Sequence, residues 1–316
     1  MKIITLSMAA LAAVLFLLVL PIATIKIYNA TFNRRFETAH AEKFHLSKFD
    51  GLQMESCTFP SNKGQMLTGY QYSKASSDPV AGVLVMAHGF GGGGHNLYMN
   101  VADYFASNGY LVFAYDATGN DASEGDGVGG LPQGVIDLDH ALQYVKQQDI
   151  YQGLPIVLFG HSWGGYSVGN VLNFHPDIKA AVMVAGFDRS IDMILQQGRE
   201  YAGAALPVLI PYATLYEYLK FGKYAQCSAL TGFANTDAQV MIFHSQDDQI
   251  VLAENGYDKF YAAYSDSPRF SFSLYEDRGH GRIYSLETGN PYIKKLDPEV
   301  MQEMLSFYNS AVGLDD

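Results

Sequence analysis

Short apolar runs recur along the chain from about residue 80 onward, separated by polar and glycine-rich stretches. Runs of this length are typical of strands that are buried on both faces. They predict strands at residues 81–87, 110–115, 156–159, 180–185, 239–243 and 270–275. Before these runs, residues 55–59 and 65–72 flank a polar turn, and this pattern predicts an antiparallel hairpin that leads into the sheet.

Segments with helical periodicity lie between these strands. Residues 96–107 form one such segment, and residues 134–147 place their valines and leucines on one face. A last helix is predicted to begin at Pro298 behind Asp297, a good N-cap residue, and to end at Gly313. Strands that alternate with helices predict a mostly parallel sheet with helices on both faces.

The N-terminal residues 3–25 contain no charged side chain and are mostly Leu, Ala, Ile and Val. As a helix they span about 34 Å, which is enough to cross a bilayer core. The run is longer than a signal-peptide core and lacks a good small-x-small cleavage site, so an uncleaved single-pass anchor is favoured. A cleaved signal and a secreted protein are the alternative. Lys26, Arg34 and Arg35 favour a cytoplasmic catalytic domain, but Lys2 and the free amino terminus nearly balance them, so both orientations stay open.

Length and charge limit the organisation and the partners of the chain. Its 316 residues divide into an N-terminal anchor or signal segment (1–28), a polar linker (29–50) and one α/β domain (51–316). The net charge of −12 argues against nucleic acid as a partner. Cys57 and Cys227 form no C-x-x-C motif, and nothing in their spacing requires a disulfide.

The candidate chemistry centres on Gly160-His161-Ser162-Trp163-Gly164, between the predicted strand at 156–159 and a helical pattern. Strand, G-x-S-x-G and helix together indicate a nucleophile elbow, a sharp turn that lifts one serine hydroxyl above the sheet edge. Small residues flank Ser162 because the turn brings the strand and helix backbones close together. An ordinary glycine-rich turn is the alternative, but the flanking elements favour Ser162 as a nucleophile.

A second glycine-rich stretch, His88-Gly-Phe-Gly-Gly-Gly-Gly94, directly follows the first buried strand. Its glycines also fit the G-x-G-x-x-G spacing of a dinucleotide-binding loop, with Asp116 after a later strand. The elbow at Ser162 favours a hydrolase instead. The sequence contains no H-E-x-x-H or G-x-x-x-x-G-K-[ST] motif, so neither a metal nor a cofactor is predicted.

These features resemble the α/β-hydrolase superfamily, over roughly residues 50–312. The resemblance implies the α/β-hydrolase fold, with a mostly parallel central sheet and helices on both faces. The His88 stretch looks like the H-G-x-G loop that supplies backbone amides to an oxyanion hole. The resemblance places these amides at Phe90 and Trp163, with Gly91 as the alternative to Phe90.

The stretch His244-Ser-Gln-Asp-Asp-Gln-Ile-Val251 follows the predicted strand at 239–243. It is similar to the H-G-x-D-D-x-x-V stretch in which these hydrolases keep the acid of their catalytic triad. Residue-by-residue matching implies Asp248 as the acid. Asp247 is the first alternative and Asp188 the second, because some hydrolases take the acid from the preceding strand.

Asp277-Arg-Gly-His-Gly281, after the last predicted strand, resembles the loop that carries the catalytic histidine and implies that role for His280. The order Ser162, Asp248, His280 is the order of this superfamily. The stretch Tyr115-Asp-Ala-Thr-Gly-Asn-Asp-Ala-Ser-Glu-Gly125 resembles a loop of monoacylglycerol-lipase-like and serine-aminopeptidase-like relatives, without the usual single glycine. Its expected role is structural.

Residues 188–237 are too long for a single crossover, and they contain helical patterns at 189–204 and 211–224. Because this insertion follows the strand after the elbow, it is interpreted as a helical cap over the site. The alternative is a surface decoration with no part in substrate binding. One face of the second helical pattern is predicted to consist of Tyr212, Leu215, Tyr216 and Leu219.

The resemblance implies a serine hydrolase that cleaves small carboxylic esters through an acyl-enzyme. Phe90, Trp163 and the tyrosines and leucines of the cap are expected to form apolar walls above Ser162, which suit short- to medium-chain acyl groups. The alternatives are a serine peptidase of the same fold and a non-catalytic, membrane-tethered binding protein. A competing expectation for the cleft is that it is lined by the cap charges Arg189, Arg199, Glu200 and Glu217.

Overall fold

The computed structural model of the chain describes Met8, Leu11 and residues 13–75, 80–286 and 295–314. In these residues, the strands of the main sheet are β1 Gln53–Pro60, β2 Met66–Ser73, β3 Gly82–Ala87, β4 Tyr110–Tyr115, β5 Ile156–His161, β6 Ala180–Val184, β7 Gln239–Ser245 and β8 Phe270–Tyr275. Two short strands outside this sheet pair with each other, β9 Ser285–Leu286 and β10 Lys295–Leu296.

The main sheet has the strand order β1-β2-β4-β3-β5-β6-β7-β8. The β1–β2 and β2–β4 pairs are antiparallel, and the remaining pairs of the sheet are parallel. The predicted hairpin and the predicted mostly parallel sheet are therefore both confirmed. Strands β3, β5 and β6 are buried at every residue, which explains why their sequences are apolar runs without alternation.

Helices cover both faces of this sheet. The helices are α1 Leu20–Phe32, α2 Met99–Ser107, α3 Gln133–Gln147, α4 Trp163–Val171, α5 Ser190–Ala202, α6 Leu206–Phe221, α7 Ala229–Ala234, α8 Tyr257–Tyr264 and α9 Pro298–Val312. Helices α3, α4, α7 and α8 contribute to the core on one face, and α2 and α9 contribute to the core on the other. Successive residues of β5 alternate between the two cores, with Leu158 in one and Phe159 in the other.

The last helix begins and ends where its sequence signals predict. The Asp297 side chain accepts hydrogen bonds from two backbone amides of the first turn of α9, which the helix itself leaves unpaired. Gly313 ends the helix in the left-handed conformation with φ 78°. Within α9, the Tyr308 hydroxyl donates a 2.6 Å hydrogen bond to the carbonyl of Leu158, which joins the helix to the central strand β5.

The N-terminal helix is longer than α1 alone, because a π-helical turn at Leu15–Val19 continues directly into it. The segment Leu15–Phe32 has a mean hydropathy of 1.7 and is long and apolar enough to cross a membrane, although a signal sequence passes the same test. Most of the predicted anchor before residue 13 lies outside the described residues.

The segment predicted to be a polar linker, residues 29–50, is packed against the domain. It begins with the last turn of α1, whose Phe32 is buried in the core. Phe36 then forms a parallel bridge with Asn120 and shares backbone hydrogen bonds with the loop around it. The expectation of a separate linker is therefore corrected, because long-range contacts that leave no pattern in the sequence hold this segment.

Residues 188–237 fold into the helices α5, α6 and α7, as the two helical patterns partly predicted. The face of α6 that the sequence pattern identified is not the buried one, since Leu215 is 54% exposed and Leu219 is 74% exposed. The buried residues of α6 lie on a different face and are Leu206, Ala213, Glu217 and Phe221. A buried carboxyl is part of this face because polar groups of other elements bind it, and an apolar pattern alone does not identify such a residue.

Candidate active site

Ser162 lies in the sharp turn between β5 and α4, with φ 59° and ψ −119°. Positive φ is strained for a serine, and such a conformation persists only where the surrounding structure holds it. The Ser162 amide donates to the carbonyl of Val184 on β6 at 2.7 Å, and the Ser162 carbonyl accepts from the Tyr166 amide at 3.0 Å. These bonds fix the serine at the carboxyl end of the sheet.

Two glycines of the elbow are required by the close approach of strand and helix. A Cβ atom on Gly160 would lie 2.2 Å from the carbonyl oxygen of Gly164, and one on Gly164 would lie 2.0 Å from that of Ala87. Both distances are well below van der Waals contact, and both obstacles are backbone atoms, which cannot rotate away. The G-x-S-x-G pattern therefore has the steric origin that the sequence suggested.

The structure brings Ser162, His280 and Asp248 together in one hydrogen-bonded row. His280 Nε2 lies 2.8 Å from Ser162 Oγ, and His280 Nδ1 lies 2.7 Å from Asp248 Oδ2. The three residues follow β5, β8 and β7, which are parallel strands, and the carboxyl ends of parallel strands meet at one edge of a sheet. Residues that are far apart in the sequence therefore converge at this edge.

Asp248 is a buried carboxylate with partners on both oxygens. Besides His280, it accepts hydrogen bonds from the amides of Ile250 and Val251, at 2.9 and 3.0 Å. Burial raises the pKa of Asp248, but the His280 ring and these amides favour the charged form more strongly, so the pKa is lowered overall. The ionised carboxylate holds the Nδ1–H of His280, which leaves Nε2 as the acceptor that faces the serine hydroxyl.

The carboxylates of Asp247 and Asp188, the two alternative candidates for the triad acid, bind groups other than the His280 ring. The Asp247 carboxylate accepts a 2.6 Å hydrogen bond from the Ser245 hydroxyl and a 2.7 Å bond from a backbone amide of the loop that carries His280. Asp188 accepts hydrogen bonds at the start of α7. Of the three candidate acids, Asp248 is the one whose carboxylate contacts the His280 ring.

Phe90, in the loop after β3, lines the same cleft as Ser162. Its ring contacts three other aromatic rings edge-on, with centroid distances of 5.0 Å to Phe36, 5.5 Å to Trp163 and 6.3 Å to Phe32. Edge-to-face pairs of this kind favour a defined ring orientation. The N-terminal helix and the segment after it therefore support the loop that carries the candidate oxyanion residue.

The consecutive glycines of this loop serve different purposes. A Cβ atom on Gly93 would lie 2.1 Å from the hydroxyl oxygen of Thr38, and one on Gly94 would lie 1.8 Å from a carboxylate oxygen of Asp116. Gly91 has φ 90° and open space around it, with the nearest atom 3.8 Å away. The later glycines thus permit close packing of the loop, and Gly91 permits the backbone turn itself.

Asp121 joins the N-terminal segment to the glycine loop. Its carboxylate accepts hydrogen bonds from the Thr38 amide at 2.7 Å, the Thr38 hydroxyl at 2.5 Å and the Gly94 amide at 2.8 Å. This residue belongs to the Asn120-Asp121 pair that replaces the usual glycine in the resembled loop. The departure from the resembled pattern therefore accompanies a contact with the N-terminal segment.

A second hydrogen-bonded row connects the glycine loop to the histidine loop. His161 Nε2 donates to the carbonyl of His280 at 2.9 Å, and His161 Nδ1 accepts from the Tyr98 hydroxyl at 3.0 Å. The Tyr98 oxygen also accepts a 3.0 Å hydrogen bond from the Gly89 amide. His161 thus supports a loop, as the sequence suggested. Tyr98 was missed, because a tyrosine within a helical pattern carries no signal of such a role.

The cleft beside Ser162 has a cavity volume of about 270 Å³, and its walls include Glu42, Phe90, Leu97 and Tyr284. The residues that line it belong to the N-terminal segment, the glycine loop, the turn that leads into α2 and the first turn of α2, the elbow and the histidine loop, and no described residue of α5 or α6 is among them. The expectation of a tyrosine- and leucine-rich cap wall is therefore wrong for this cleft. The cap charges also lie outside its lining, namely Arg189, Arg199, Glu200 and Glu217.

The expected apolar wall at Trp163 is corrected as well. The Trp163 side chain is only 2% exposed, and its Nε1–H donates a 2.7 Å hydrogen bond to the carbonyl of Leu131. The indole is part of the core, so only the backbone of this residue is available to the cleft. Among the described residues, no group of three or more His, Cys, Asp or Glu side chains could hold a metal ion. Cys57 and Cys227 are free thiols.

The chain is similar in sequence to a known protein family and to one curated protein. A family model described as serine aminopeptidase, S33, matches residues 78–223, which are just under half of the chain. A caffeoylshikimate esterase from Arabidopsis thaliana is 28% identical over 130 residues, which are 40% of this chain and 38% of the relative. The match therefore spans well under half of the length of that curated relative.

Solved structures share the architecture over most of the chain. An esterase from Pyrococcus furiosus has a TM-score of 0.65 at 14% identity, covering 89% of this chain and 98% of its own. Brefeldin A esterase, a bacterial homologue of human hormone sensitive lipase, has a TM-score of 0.63 at 14% identity, covering 94% and 86%. The chain therefore has the α/β-hydrolase fold. The family match and the curated relative both have the names of hydrolytic enzymes.

Proposed function

We propose that the chain is a serine hydrolase that cleaves carboxylic esters, with Ser162 as nucleophile, His280 as general base and acid, and Asp248 as the supporting carboxylate. One observation carries this proposal: the row of hydrogen bonds from Ser162 Oγ through His280 to Asp248 begins at a strained elbow beside an open cleft. A serine with a purely structural role requires neither the strain nor the histidine–carboxylate pair. A non-catalytic binding protein accounts for neither feature.

The reaction proceeds through an acyl-enzyme. Ser162 Oγ attacks the ester carbonyl carbon while His280 Nε2 takes the hydroxyl proton, and the carbonyl electrons move onto oxygen. Collapse of this intermediate breaks the bond to the alkoxy oxygen, and His280 gives its proton to the leaving alcohol. Water then attacks the acyl group with the same proton transfers, releasing the acid and Ser162. Asp248 stays ionised and stabilises the imidazolium, in line with its lowered pKa.

The backbone amides of Phe90 and Trp163 stabilise the oxyanion in this proposal. Trp163 is the first residue of α4, and a helix leaves the amides of its first turn unpaired. Phe90 lies in the glycine loop across the cleft from it. Neither amide donates a hydrogen bond to a backbone carbonyl of the described residues. Preorganised donors of this kind stabilise charge as it develops in the transition state. Gly91 is the alternative to Phe90.

Esters with short to medium acyl chains are the proposed substrates. The side chains of Phe90, Leu97 and Tyr284 offer apolar surface within the cleft. Burial of an acyl chain on such surface contributes about 0.8 kcal/mol per CH₂ group. The names of the curated relative and of the two similar structures, all esterases, support esters as the substrates, and the chain length is proposed from the cleft alone.

A serine peptidase is the alternative activity, and one observation favours it. Glu42, a half-buried carboxyl of the N-terminal segment, lines the cleft. A carboxylate in this position suits a substrate ammonium group, through a charge-assisted hydrogen bond. The matching family model also carries the description serine aminopeptidase. The choice between the two activities therefore depends on what Glu42 contributes.

Labelling with a fluorophosphonate probe tests the nucleophile. The full-length protein should be labelled, and Ser162→Ala should abolish labelling while the protein remains folded by circular dichroism. Ser285→Ala is the matched control, because Ser285 lines the same cleft. That variant should be labelled like the parent. Labelling of Ser162→Ala at any other serine overturns the assignment.

A substrate series separates esterase from peptidase. The kcat/KM values for nitrophenyl esters of increasing chain length should exceed those for a panel of aminoacyl anilides by several orders of magnitude. Glu42→Gln should leave ester hydrolysis nearly unchanged. Comparable kcat/KM values on the anilides, together with their loss in Glu42→Gln, would establish the peptidase instead.

The N-terminal residues 1–28 are proposed to be an uncleaved membrane anchor of the domain, with residues 188–237 as its cap. The apolar segment Leu15–Phe32 and the packing of α1 on α6 support this organisation. The intact mass of the membrane-extracted protein should include residues near Met1. A mature N-terminus between residues 23 and 30 contradicts the anchor and supports a secreted form.

A further inference from the structure

The cap helix α6 carries an apolar stripe on its outer face. Val208, Leu215 and Leu219 are 45%, 54% and 74% exposed, and they recur at helical spacing. No charged residue occurs in the sequence from 201 to 216. Leu219 lies just beyond this uncharged segment. Exposed apolar side chains in isolation need no explanation, but several on one face of a helix mark a contact surface.

This stripe lies beside the N-terminal helix. The hydroxyl of Tyr212, on α6, donates a 2.8 Å hydrogen bond to the backbone carbonyl of Phe16. One turn further along α6, the Tyr216 hydroxyl donates to the side-chain oxygen of Asn29 at 3.1 Å. The cap is therefore attached to the apolar helix at a point well inside the predicted anchor, as well as at its end.

The position of Phe16 along the anchor determines how deep in a bilayer its contact with Tyr212 would lie. The uncharged run of the anchor ends at Ile25, directly before Lys26, so Phe16 lies nine residues inside it. Nine helical residues rise about 14 Å, which is close to half of a bilayer core of about 30 Å. A tyrosine side chain is much shorter than this distance. If the anchor enters a bilayer up to Ile25, the first turns of α6 must enter it as well.

A pocket between the same elements has the lining that lipid chains favour. It lies between α1 and the helices α5 and α6, and its walls include Ile27, Ile194, Leu206 and Ile210. Ile27 itself is 47% exposed on the outer side of α1. Apolar surface in an open pocket is unfavourable in water and is stabilised by hydrocarbon.

We propose that the outer face of α6 is a second membrane-binding surface, which inserts into the hydrocarbon region of the bilayer next to the N-terminal helix. The occupant of this surface is lipid. The proposal rests on the membrane anchor of the proposed function and extends it, because the cap is in contact with lipid as well as the anchor.

Insertion of this surface is driven by hydrophobic burial rather than by charge. The chain has a net charge of −12, and the uncharged segment 201–216 provides no basic residues for anionic headgroups. Binding to zwitterionic phosphatidylcholine should therefore be as strong as binding to vesicles with anionic lipid. The competing occupant is a second copy of the chain, which an isolated apolar stripe also suits.

Quenching by brominated lipid measures the depth of the surface in the full-length protein. The protein is reconstituted into phosphatidylcholine vesicles with or without mid-chain bromine, and single tryptophans are introduced at three exposed positions. Leu215→Trp reports on the cap and Leu17→Trp on the anchor. Ile150→Trp is the matched control, because Ile150 is 52% exposed and lies in the turn before the amino end of β5. The native Trp163 is buried and contributes the same background fluorescence in every variant. Circular dichroism checks that each variant is folded.

Bromine should quench Leu215→Trp and Leu17→Trp severalfold more than Ile150→Trp. If Leu17→Trp is quenched but Leu215→Trp behaves like Ile150→Trp, the cap surface is not in the bilayer, although the anchor stands. If neither is quenched, the anchor and this proposal both fail. Emission of Leu215→Trp that resists bromine and shifts with protein concentration shows contact between copies, and also overturns the proposal.

Discussion

Glu217 is the buried carboxyl of the cap helix, and its ionisation couples the contact between the cap and the N-terminal helix to pH. The carboxyl accepts hydrogen bonds from the Tyr28 hydroxyl and, at 2.7 Å, from the Ser190 hydroxyl. Burial raises the pKa of Glu217 to about 7, even though these hydrogen bonds and the charge of Lys220 lower it. Ionisation therefore occurs near neutral pH.

The raised pKa sets the direction of the pH dependence. Below the ordinary value of 4.5, Glu217 is protonated in the folded and the unfolded chain, and its contribution to stability is fully present. As the pH rises through 7, the folded protein ionises a buried carboxyl, and the contribution is lost. The difference between 4.5 and about 7 corresponds to about 3 kcal/mol of the free energy of unfolding.

The substitution Glu217→Gln removes this ionisation and keeps an acceptor oxygen for Tyr28. Between pH 5 and pH 8, the full-length protein in detergent should lose about 3 kcal/mol of stability relative to Glu217→Gln. In thermal unfolding, the gap between the two melting temperatures should change by roughly 5 °C. Glu200→Gln, on the exposed surface of α5, is the control and should follow the parent protein.

Comparison of the two proteins cancels the titration of all other groups. If the melting temperatures of the parent and Glu217→Gln change in parallel from pH 5 to pH 8, the pKa of Glu217 is the same in the folded and the unfolded protein, and burial does not raise it. A change of the opposite sign, with the parent gaining stability as the pH rises, would mean that the charged carboxylate is the favoured partner of Tyr28 and Ser190.

Two further outcomes are expected in the active site. Asp248→Asn should lower kcat by about 10⁴, because the histidine then adopts the wrong tautomer, and Asp247→Asn should retain most activity. If Asp247→Asn causes the large loss instead, Asp247 is the acid of the triad. Tyr98→Phe removes the hydroxyl between His161 and the Gly89 amide, and should lower kcat about tenfold at unchanged KM and unchanged melting temperature. If Tyr98→Phe lowers the melting temperature as well as kcat, Tyr98 has a structural role only.

The features that the sequence predicted well have local causes. The strand β5 and the elbow at Ser162 follow from an apolar run and from glycines whose Cβ atoms would clash. The start of α9 follows from Asp297, which caps the helix that comes directly after it. The candidate acid Asp248 came from the resemblance to a family, and local pattern alone did not distinguish it from Asp247.

The features that were missed depend on contacts between distant segments. The buried face of α6 was not identified from the sequence because its Glu217 is stabilised by Tyr28, which lies almost 190 positions earlier in the chain. The N-terminal segment was expected to be a linker because its contact with the glycine loop, through Thr38 and Asp121, has no periodic pattern. Periodicity describes one element at a time and contains no information about such pairs.

The packing of α1 on α6 has a practical consequence for recombinant production. A soluble form that begins after Phe32 would expose the Glu217 carboxyl and remove one of the rings that contact Phe90. Such a form would be prone to aggregate through the uncovered cap. A better truncation begins at Leu20, keeps the inner side of α1, and replaces its outward-facing Ile22 and Ile27 with polar residues.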